Sequence, residues 1–345
     1  ARNPAPLSAG GIMYVQGDDR IFGMDAYNGS ILWTVEIPEL IRTNVKADST
    51  NMICDEDHLY VAVADSCWVI EGDTGEVLRK LQVPAPSDPR FGSAERVWGY
   101  LALTEGALIG SITRTEGVFR GRSGEWYDGG GWEFEQVVAE ELFRMNPETG
   151  EVLWRYAGGL VIHSSIAIAD GEIYFAEDRA PSDASLAKGR LVNRNGTDQY
   201  LVSLDLFEGT KRWEKQHDLG SYTNCLYTSV EDGVMVLFGS KSDYKLEAFR
   251  TENGTRMWDE QFGWARDHHG GKVQHPVVFG GKVFADDKVF DQEHEVERAR
   301  AVSKELLDSG HSASSVVQQV VQGSGLARNL VYRIVHDLKD SEKKR

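Results

Sequence analysis

Three histidines and an aspartate lie within nine residues in the polar segment 266–276. Imidazole and carboxylate groups of this kind can bind a metal ion or act as a general base. An extended strand would turn His268 and His269 to opposite faces, so one ion would not take both unless the glycines at 270 and 271 broke the strand. A metal site, a polar ligand-binding position and structural histidines therefore all stay open. The candidates are His268 and His275 for a metal, and Asp267, His269 and Gln274 for a ligand.

A second group that could bind a ligand is aromatic and lies in the insertion 114–139. It contains Trp126, Tyr127 and Trp132 around three consecutive glycines at 129–131. Glycine-rich flexibility beside exposed rings suits a platform that stacks on a sugar, a quinone or a partner peptide. The alternative is that these rings fold back as a small satellite core against the rest of the domain.

A repeated turn-and-strand pattern must position both groups. Each copy has an acidic or polar residue near its start, then a glycine, then a short strand that usually ends in Trp. The copies are residues 25–33, 72–79, 146–154, 205–213 and 250–258. The repeat glycines are 46, 75, 59 and 45 residues apart. Because a four-stranded propeller blade takes about 45 residues, the longer gaps indicate blades that carry insertions.

Each copy is predicted to be a β-hairpin whose turn contains glycine, since one turn residue needs a positive φ. An Asp or Asn near the start of the turn can accept a hydrogen bond from the backbone two residues on. The tryptophans contribute a large apolar area, and we expect them to wedge between neighbouring blades. They are Trp33, Trp154, Trp213 and Trp258. Arg79 stands in this place in the second copy, which predicts looser packing there.

The repeat predicts an all-β fold for residues 1–291: a β-propeller of four-stranded blades, with five full blades and a partial sixth. The strand pattern stops at Asp291, so we expect a truncated version of a longer propeller with an unprotected edge. The innermost strands of a propeller line its channel. His163, His268 and His275 are therefore candidate catalytic residues that could meet near the axis, the alternative for each being a hydrogen-bonded histidine at a strand end.

The order Asp, Ala, two residues, Gly, two residues, Leu, Trp in residues 25–33 resembles the repeat of the PQQ-type β-propellers. That family includes quinoprotein alcohol dehydrogenases and BamB-like lipoproteins of the outer-membrane β-barrel assembly machine, and the resemblance covers residues 8–291. For the dehydrogenases it implies pyrroloquinoline quinone and calcium. The chain lacks their vicinal cysteine pair, their tryptophan-docking pattern and a Cys-x-x-Cys-His haem motif. We therefore disfavour quinone and calcium and leave the cofactor unknown.

Residues 292–345 have a helical pattern instead. Apolar residues recur at spacings of three and four between Leu306 and Leu338, and Gly310 and the run 323–325 divide them into three helices. The stretch 301–334 resembles the small helical C-terminal domain of the ribosomal RNA small-subunit methyltransferase I family. The glycine-rich S-adenosylmethionine site of that family has no counterpart in the chain, so the resemblance carries no methyltransferase activity with it.

Charge and composition narrow the choice of partner. The net charge is −17, and residues 292–345 contain nine basic and eight acidic residues, so the propeller part carries −18. This acidity argues against a nucleic acid partner for the propeller, and the balance of +1 predicts only weak RNA contact for the tail. The sequence contains no apolar run that could span a bilayer, and its three cysteines have no metal-binding spacing.

The sequence thus predicts a non-catalytic, extracytoplasmic propeller that presents a loop-rich face to a protein or peptide partner. A small-molecule ligand stays open. The chain starts at Ala1 without the charged and apolar regions of a signal peptide, which we expect to have been removed or to lie outside this sequence. The alternative function is a quinone-dependent or metal-assisted enzyme with a histidine-lined site at the propeller channel.

Overall fold

The computed structural model describes residues 5–40, 50–92, 94–118, 135–191, 198–223, 225–241, 243–263, 276–279, 282–285, 288–291, 294–324 and 328–343. The strands are β1 (Leu7–Ala9), β2 (Ile12–Gly17), β3 (Arg20–Asp25), β4 (Ile31–Glu36), β5 (Met52–Cys54), β6 (His58–Val63), β7 (Ser66–Glu71), β8 (Val77–Gln82), β9 (Arg96–Thr104), β10 (Ala107–Arg114), β11 (Gln136–Ala139), β12 (Glu141–Met145), β13 (Val152–Tyr156), β14 (Leu160–Ile162), β15 (Ala167–Ala169), β16 (Glu172–Asp178), β17 (Arg190–Leu191), β18 (Gln199–Asp205), β19 (Lys211–Gln216), β20 (Cys225–Glu231), β21 (Val234–Ser240), β22 (Tyr244–Arg250), β23 (Arg256–Phe262), β24 (Val277–Phe279), β25 (Lys282–Ala285) and β26 (Lys288–Asp291). The helices are α1 (Asp183–Lys188), α2 (His294–Asp308), α3 (Ala313–Ser324) and α4 (Arg328–Lys343).

The strands form successive antiparallel sheets, which we call blades. Blade 1 is β1–β4, blade 2 is β5–β8, blade 3 is β9, β10, β12 and β13, and blade 5 is β20–β23. Blade 4 has β14, β16, β18 and β19, and its sheet is extended beyond β14 by β11 and then β17. The strands β24–β26 form a three-stranded sheet. The prediction of five full blades, a partial sixth and C-terminal helices is confirmed.

Two compact units divide the chain. One contains residues 1–166 and 171–226, and therefore blades 1 to 3 and most of blade 4. The other contains residues 167–170 and 227–345, and therefore the last strands and the three long helices. The predicted domain boundary between residues 291 and 292 stays a prediction.

The repeated turn is built as the sequence predicts. The five repeat glycines all have φ between 66° and 75°. In blade 1 the backbone N–H groups of Tyr27 and Asn28 donate to Oδ1 of Asp25, at 2.8 and 3.1 Å. Asn146 and Asp205 accept the equivalent pairs in blades 3 and 4. The turn thus receives its side-chain hydrogen bonds from the Asx residue and its left-handed backbone from the glycine.

Tryptophan joins each of two blades to the turn of the next blade. Nε1 of Trp33 donates to the carbonyl of Gly72 at 2.7 Å, and Nε1 of Trp154 donates to the carbonyl of Leu206 at 2.9 Å. The rings also cover the turn glycines: a Cβ at Gly75 would lie 2.7 Å from the Trp33 ring. Trp33 and Trp154 therefore wedge between blades as the sequence predicts.

The other two repeat tryptophans are described only within their own surroundings. Trp213 is tilted against Tyr174 of the same blade, with ring centroids 6.2 Å apart. Trp258 is buried. The wedge role of Trp213 and Trp258 stays a prediction.

Arg79 takes the place of tryptophan in blade 2 and keeps its hydrogen bond. Its Nη1 donates to the carbonyl of Pro147 at 3.1 Å, the position in the turn that Gly72 and Leu206 hold in theirs, and pairs with Glu148 at 2.6 Å. A Cβ at Gly150 would be 3.5 Å from Leu81, an ordinary contact. The packing on this turn is looser, in line with the prediction, but the polar link between the blades remains.

Apolar side chains of neighbouring blades form a separate core at each of two interfaces, one between blades 1 and 2 and one between blades 2 and 3. Tyr14 and Ile21 of blade 1 pack with Leu59 and Ile70 of blade 2. Blade 2 in turn packs its opposite-facing residues, Tyr60 and Val69 among them, with Trp98 and Phe143 of blade 3, whose rings lie edge to face at 4.9 Å. Blade 2 is therefore apolar on both faces, and a neighbouring blade covers it on either side.

The three C-terminal helices have a core of their own, formed by Ala299, Val316, Val317, Val320, Val331, Ile334 and Val335. Gly310, at φ 86°, ends α2, and the Ser312 hydroxyl accepts from the backbone of Ser315 at the start of α3. This matches the predicted breaks between helices. Among the described residues, helices long and apolar enough to cross a membrane are absent.

Candidate functional site

Most residues that the sequence proposes for binding or catalysis lie outside the described residues, in segments 119–134 and 264–275. They are Trp126, Tyr127, Trp132, Asp267, His268, His269, Gln274 and His275. Their roles stay predictions. The structure does describe His163 and the residues on either side of the aromatic insertion, and these define the site considered below.

His163 is buried and hydrogen-bonded. It opens a single 3₁₀ turn, His163–Ser165, directly after β14, and it is 1% exposed. Its Nε2 lies 2.9 Å from Oγ of Ser111, which also accepts the backbone N–H of Tyr100 at 2.7 Å. A Cβ at Gly99 would lie 2.5 Å from the imidazole Cε1, so glycine is needed beside the ring. This environment satisfies a buried polar group, and a catalytic role for His163 stays a prediction.

An added strand flanks the first strand of blade 4. In β11, Val138 and Ala139 pair with Ile162 and Val161 of β14, and all four residues of β11 are buried. In a propeller the first strand would line the channel. Because β11 lies along β14, this strand is not the edge of its sheet, which accounts for the burial of His163 at its end.

Strand direction brings the two long insertions to one end of the blades. Antiparallel strands alternate in direction, so the connection from strand two to strand three leaves a blade at the same end as the connection to the next blade. In blades 3 and 4 the former are residues 115–140 and 179–198. We call this end of blades 3 and 4 the loop face. The repeat turns with their glycines lie at the opposite end.

The two insertions are tied to each other where they leave the blades. Nε of Arg190 donates to the carbonyl of Gly117 at 2.9 Å, and the N–H of Val138 donates to the carbonyl of Gly189 at 3.0 Å. Lys188 pairs with Glu135 at 3.1 Å, and β11 pairs with β17. The base of the aromatic insertion is therefore held by the base of the second insertion.

Glu140 anchors a buried cluster beside the aromatic insertion. Its carboxylate accepts from Nε of Arg96 at 2.6 Å and from Nε of Arg114 at 2.8 Å, and all three side chains are largely buried. Both arginines also donate to the carbonyl of Phe91 in the connection from blade 2. Burial raises the pKa of Glu140, and the two guanidinium groups oppose that shift.

The Glu141 side chain holds the same connection, between blades 2 and 3, through the backbone of that connection. Its fully buried carboxylate accepts from the N–H and hydroxyl of Ser87, at 2.5 and 2.9 Å, and from the N–H of Asp88 at 3.1 Å. Arg155, 3.5 Å from Glu141, donates to the carbonyl of Ala85 at 2.7 Å. The connection between blades 2 and 3 thus has a defined shape despite its lack of strands.

Glu177 is the third buried carboxylate of the loop face, and it lies near the end of β16 in blade 4. It accepts from the hydroxyl of Tyr156 at 3.0 Å, from the N–H of Gly159 at 3.0 Å and from Nε of Arg179 at 2.7 Å. Burial raises the pKa of Glu177, against the lowering effect of Arg179. Burial also raises the pKa of Tyr156. Arg179 reaches on to Glu214 at 2.5 Å.

Asp178 and Gln199 complete the set of buried polar contacts at the loop face. We call the four carboxylates Glu140, Glu141, Glu177 and Asp178, with their partners, the frame. Nε2 of Gln199 donates to Asp178 at 3.0 Å, while its Oε1 accepts the N–H of Leu219 in the connection that leaves blade 4. The other Asp178 oxygen accepts the N–H of Ala180 at the start of the second insertion. Every one of the four carboxylates therefore holds a connection of the loop face.

The carboxylates of the frame hold the connections of the loop face by hydrogen bonds, and their oxygens are not available as ligands for a metal ion. Calcium takes six to eight oxygen ligands, whereas the four buried carboxylates accept hydrogen bonds from N–H and O–H groups of the protein. These carboxylates do not fit a calcium–quinone site. Within the parts of the chain that the structure describes, groups of three or more His, Cys, Asp or Glu able to hold a metal are absent.

Sequence reasoning missed the four carboxylates, Glu140, Glu141, Glu177 and Asp178. The signal was present: two adjacent acidic residues follow an apolar strand in 136–141 and again in 172–178. Acidic residues in such a run are buried with partners or mark a strand end. The second insertion, residues 179–198, contains the capped helix α1 and β17.

Residues 120–290 match the sequence model of a family described as outer membrane protein assembly factor BamB. No curated protein sequence matches the chain significantly.

Solved structures match over most of the chain at low identity. BamB from Moraxella catarrhalis is 14% identical, over 81% of this chain and 68% of that chain, with a TM-score of 0.49. Quinohemoprotein alcohol dehydrogenase from Comamonas testosteroni is 15% identical, over 79% of this chain and 45% of that chain, with a TM-score of 0.50. A europium-containing methanol dehydrogenase is 13% identical, over 85% and 67%, also at 0.50.

The two dehydrogenase structures show a shared fold and nothing about activity, since one fold hosts unrelated functions. The five-copy repeat, the blades and the match over residues 120–290 together support a PQQ-type β-propeller repeat in this chain.

Proposed function

We propose that the chain is a non-catalytic binding or scaffold propeller, located outside the cytoplasm, whose loop face holds a protein or peptide partner. The observation that supports this best is the buried frame of the loop face. Four carboxylates with their partners hold connections at the loop face, the end at which the insertions 115–140 and 179–198 leave blades 3 and 4. Binding residues on loops held by a rigid scaffold are the usual arrangement in recognition proteins.

The chemistry of the frame favours binding over catalysis. A general acid or base has to reach the reacting group, and Glu140, Glu141 and Glu177 are buried against backbone and arginine partners. A BamB structure from Moraxella catarrhalis is among the solved structures similar to this chain. The aromatic residues Trp126, Tyr127 and Trp132 are the proposed contacts, since aromatic side chains are enriched at interfaces.

Site-specific crosslinking in cells tests the proposal. A photo-crosslinking amino acid replaces Lys188, an exposed residue of α1 on the loop face, or Tyr27, an exposed residue of a repeat turn at the opposite end. We expect discrete protein adducts from position 188 and none from position 27. Equal adducts from both positions, or none from position 188, would contradict a partner at the loop face.

A cofactor measurement separates this proposal from the enzymatic alternative. Purified protein is incubated with calcium and pyrroloquinoline quinone, passed through a desalting column, and its absorption spectrum is recorded. We expect the quinone to be lost. Stoichiometric retention of quinone, together with dye reduction in the presence of an alcohol, would favour a dehydrogenase instead.

A further inference from the structure

Three asparagines of the chain have the acceptor pattern of N-linked glycosylation, which is Asn, any residue except Pro, then Ser or Thr. They are Asn28, Asn195 and Asn253, and they are also the three asparagines that precede a glycine. Asn195 lies outside the described residues. Asn28 and Asn253 occupy the same position of the repeat turn, in blades 1 and 5.

Turn geometry accounts for a side-chain oxygen at this position, but not for the whole acceptor pattern. Oδ1 of Asn28 accepts the N–H of Ser30 at 2.8 Å. Threonine makes the same contact in two other turns: Oγ1 of Thr74 in blade 2 and Oγ1 of Thr149 in blade 3 each accept the N–H two residues on, at 3.2 Å. Glutamate follows the glycine in both of those turns, so the turn does not need a hydroxyl at the position of Ser30.

The side-chain amide of Asn28 is accessible. Asn28, Gly29 and Ser30 are all exposed. Oδ1 of Asn28 is engaged by the backbone, whereas none of the described residues accepts a hydrogen bond from its Nδ2. Among the described residues, no heavy atom lies within 4 Å of a Cβ placed at Gly29, while tryptophan rings cover the equivalent glycines Gly75 and Gly209. The nitrogen that would bond to a sugar therefore has open space around it.

Asn253 has the same pattern in more crowded surroundings. Its Oδ1 accepts the N–H of Thr255 at 2.9 Å, and both residues are exposed. Gly254 between them is buried, whereas Gly29 is exposed. Asn28 is therefore the more accessible acceptor of the two.

We propose that Asn28 carries an N-linked oligosaccharide. The donor is an oligosaccharide joined through pyrophosphate to a membrane lipid. Nδ2 of Asn28 bonds to C1 of the first sugar, the bond from C1 to the pyrophosphate oxygen breaks, and Nδ2 loses one proton as the lipid pyrophosphate leaves. The inference rests on the extracytoplasmic location proposed for the chain, because N-linked glycans belong to secreted proteins.

A glycan at Asn28 is compatible with a partner at the loop face, because the repeat turns lie at the opposite end of the blades. Exposed apolar side chains flank this asparagine: Tyr27 is 91% exposed, Ile31 60% and Leu32 52%. A bulky, hydrophilic glycan beside them would shield these side chains from unspecific contact with other proteins.

Mass spectrometry of the full chain, purified from its own cells, tests the proposal. Trypsin releases residues 21–42, in which Asn28 is the only asparagine. We expect this peptide to carry an added glycan mass and to yield sugar fragment ions. Ser30→Ala keeps Asn28 but removes the hydroxyl of the pattern, so the glycan should be lost completely, whereas Ser30→Thr should retain it. Asn28→Thr should also lose the glycan while the turn stays intact, since threonine makes the same hydrogen bond in blades 2 and 3.

Fractionation of the same cells distinguishes a failure of this inference from a failure of the proposed function. An unmodified peptide from protein found outside the cytoplasm would overturn the glycan alone, whereas protein confined to the cytoplasm would overturn both. Conversion of Asn28 to aspartate without an attached sugar, or a glycan that persists in Ser30→Ala, would also overturn the acceptor role. Thermal melting of each variant shows that the blades remain folded.

Discussion

At the scale of single residues, the buried carboxylates of the loop face and the groups that donate hydrogen bonds to them stabilise one another. Removing one partner of a buried ion pair leaves an uncompensated charge, which costs about 3–5 kcal/mol. Glu140 stands between Arg96 and Arg114, so its loss leaves two guanidinium groups facing each other. The stability of the frame therefore depends on these acids far more than on the exposed ion pairs of the surface.

Glu140→Ala is expected to lower the free energy of unfolding by about 3–5 kcal/mol, as measured by urea denaturation. The matched control is Glu148→Ala, which removes the exposed partner of Arg79. That change should cost about 0–1 kcal/mol, since solvent screens an exposed pair. Similar losses in the two variants would contradict the argument from burial.

The pH dependence of stability follows from the direction of the pKa shift of Glu177. Its pKa is raised in the folded state, chiefly by burial, so the folded protein holds this proton more tightly than the unfolded chain does. The contribution of Glu177 to stability is therefore greatest below its unfolded pKa and declines as pH rises through the raised folded value.

Glu177→Gln removes this dependence and keeps a polar side chain of similar size. Its thermal stability relative to the unaltered protein should increase as pH rises from about 4 to 8, because only the unaltered protein has to bury an ionising group. Melting curves of both proteins across this range provide the measurement. A difference that is constant, or that shrinks as pH rises, would contradict the raised pKa.

At the scale of elements, the contact between a strand-four tryptophan and the next turn sets the packing of the blades. The turn glycines Gly209 and Gly150 can be compared, because a tryptophan ring covers only Gly209. A Cβ at Gly209 would lie 2.5 Å from the Trp154 ring, whereas one at Gly150 would meet Leu81 at 3.5 Å. Both have positive φ, 67° and 73°.

Gly209→Ala should destabilise the protein more than Gly150→Ala. Both changes carry the cost of a left-handed backbone, about 1–2 kcal/mol. Only Gly209→Ala adds overpacking against tryptophan, about 1–3 kcal/mol. Urea denaturation of the pair isolates the second term, and equal losses would show that the Trp154 ring moves away without cost.

The repeat made these elements predictable, and its exceptions were harder to foresee. Five copies at blade spacing predicted the blades, the turn glycines and the wedges of Trp33 and Trp154. The hydrogen bond that Arg79 keeps to Pro147 was not foreseen, because it depends on the geometry of a neighbouring blade. Strand β11 was missed because its pairing with β14 joins residues from different blades.

The candidate site was less predictable than the fold. Histidines and aromatic residues were chosen by their chemistry, yet the only one described, His163, is hydrogen-bonded to Ser111 in the interior. The frame that organises the loop face consists of acidic residues. Their position after apolar strands indicates burial or a strand end, but the sequence does not show which partners they contact. Long-range partners such as Arg96 and Glu140 are 44 residues apart.

At the scale of the whole molecule, the chain combines a repeat protein with a helical module that has its own core. All seven buried residues of that core belong to α2, α3 or α4. Residues 292–345 expressed alone are therefore expected to give a helical circular dichroism spectrum with a cooperative thermal transition. A random-coil spectrum would show that these short helices need the preceding blades, since isolated helices are marginal in water.

The backbone of Leu206 makes two hydrogen bonds in the turn of blade 4. Its N–H donates to the carbonyl of Gly171 in the same blade, and its carbonyl accepts from Nε1 of Trp154 in blade 3. Gly72 does the same with Asp57 and Trp33. These tryptophan contacts between blades thus lie at the end opposite the insertions. Changes within the insertions 115–140 and 179–198 that spare β11, β17 and Glu140 leave these contacts in place, so binding specificity at the loop face is separable from the tryptophan contacts between blades.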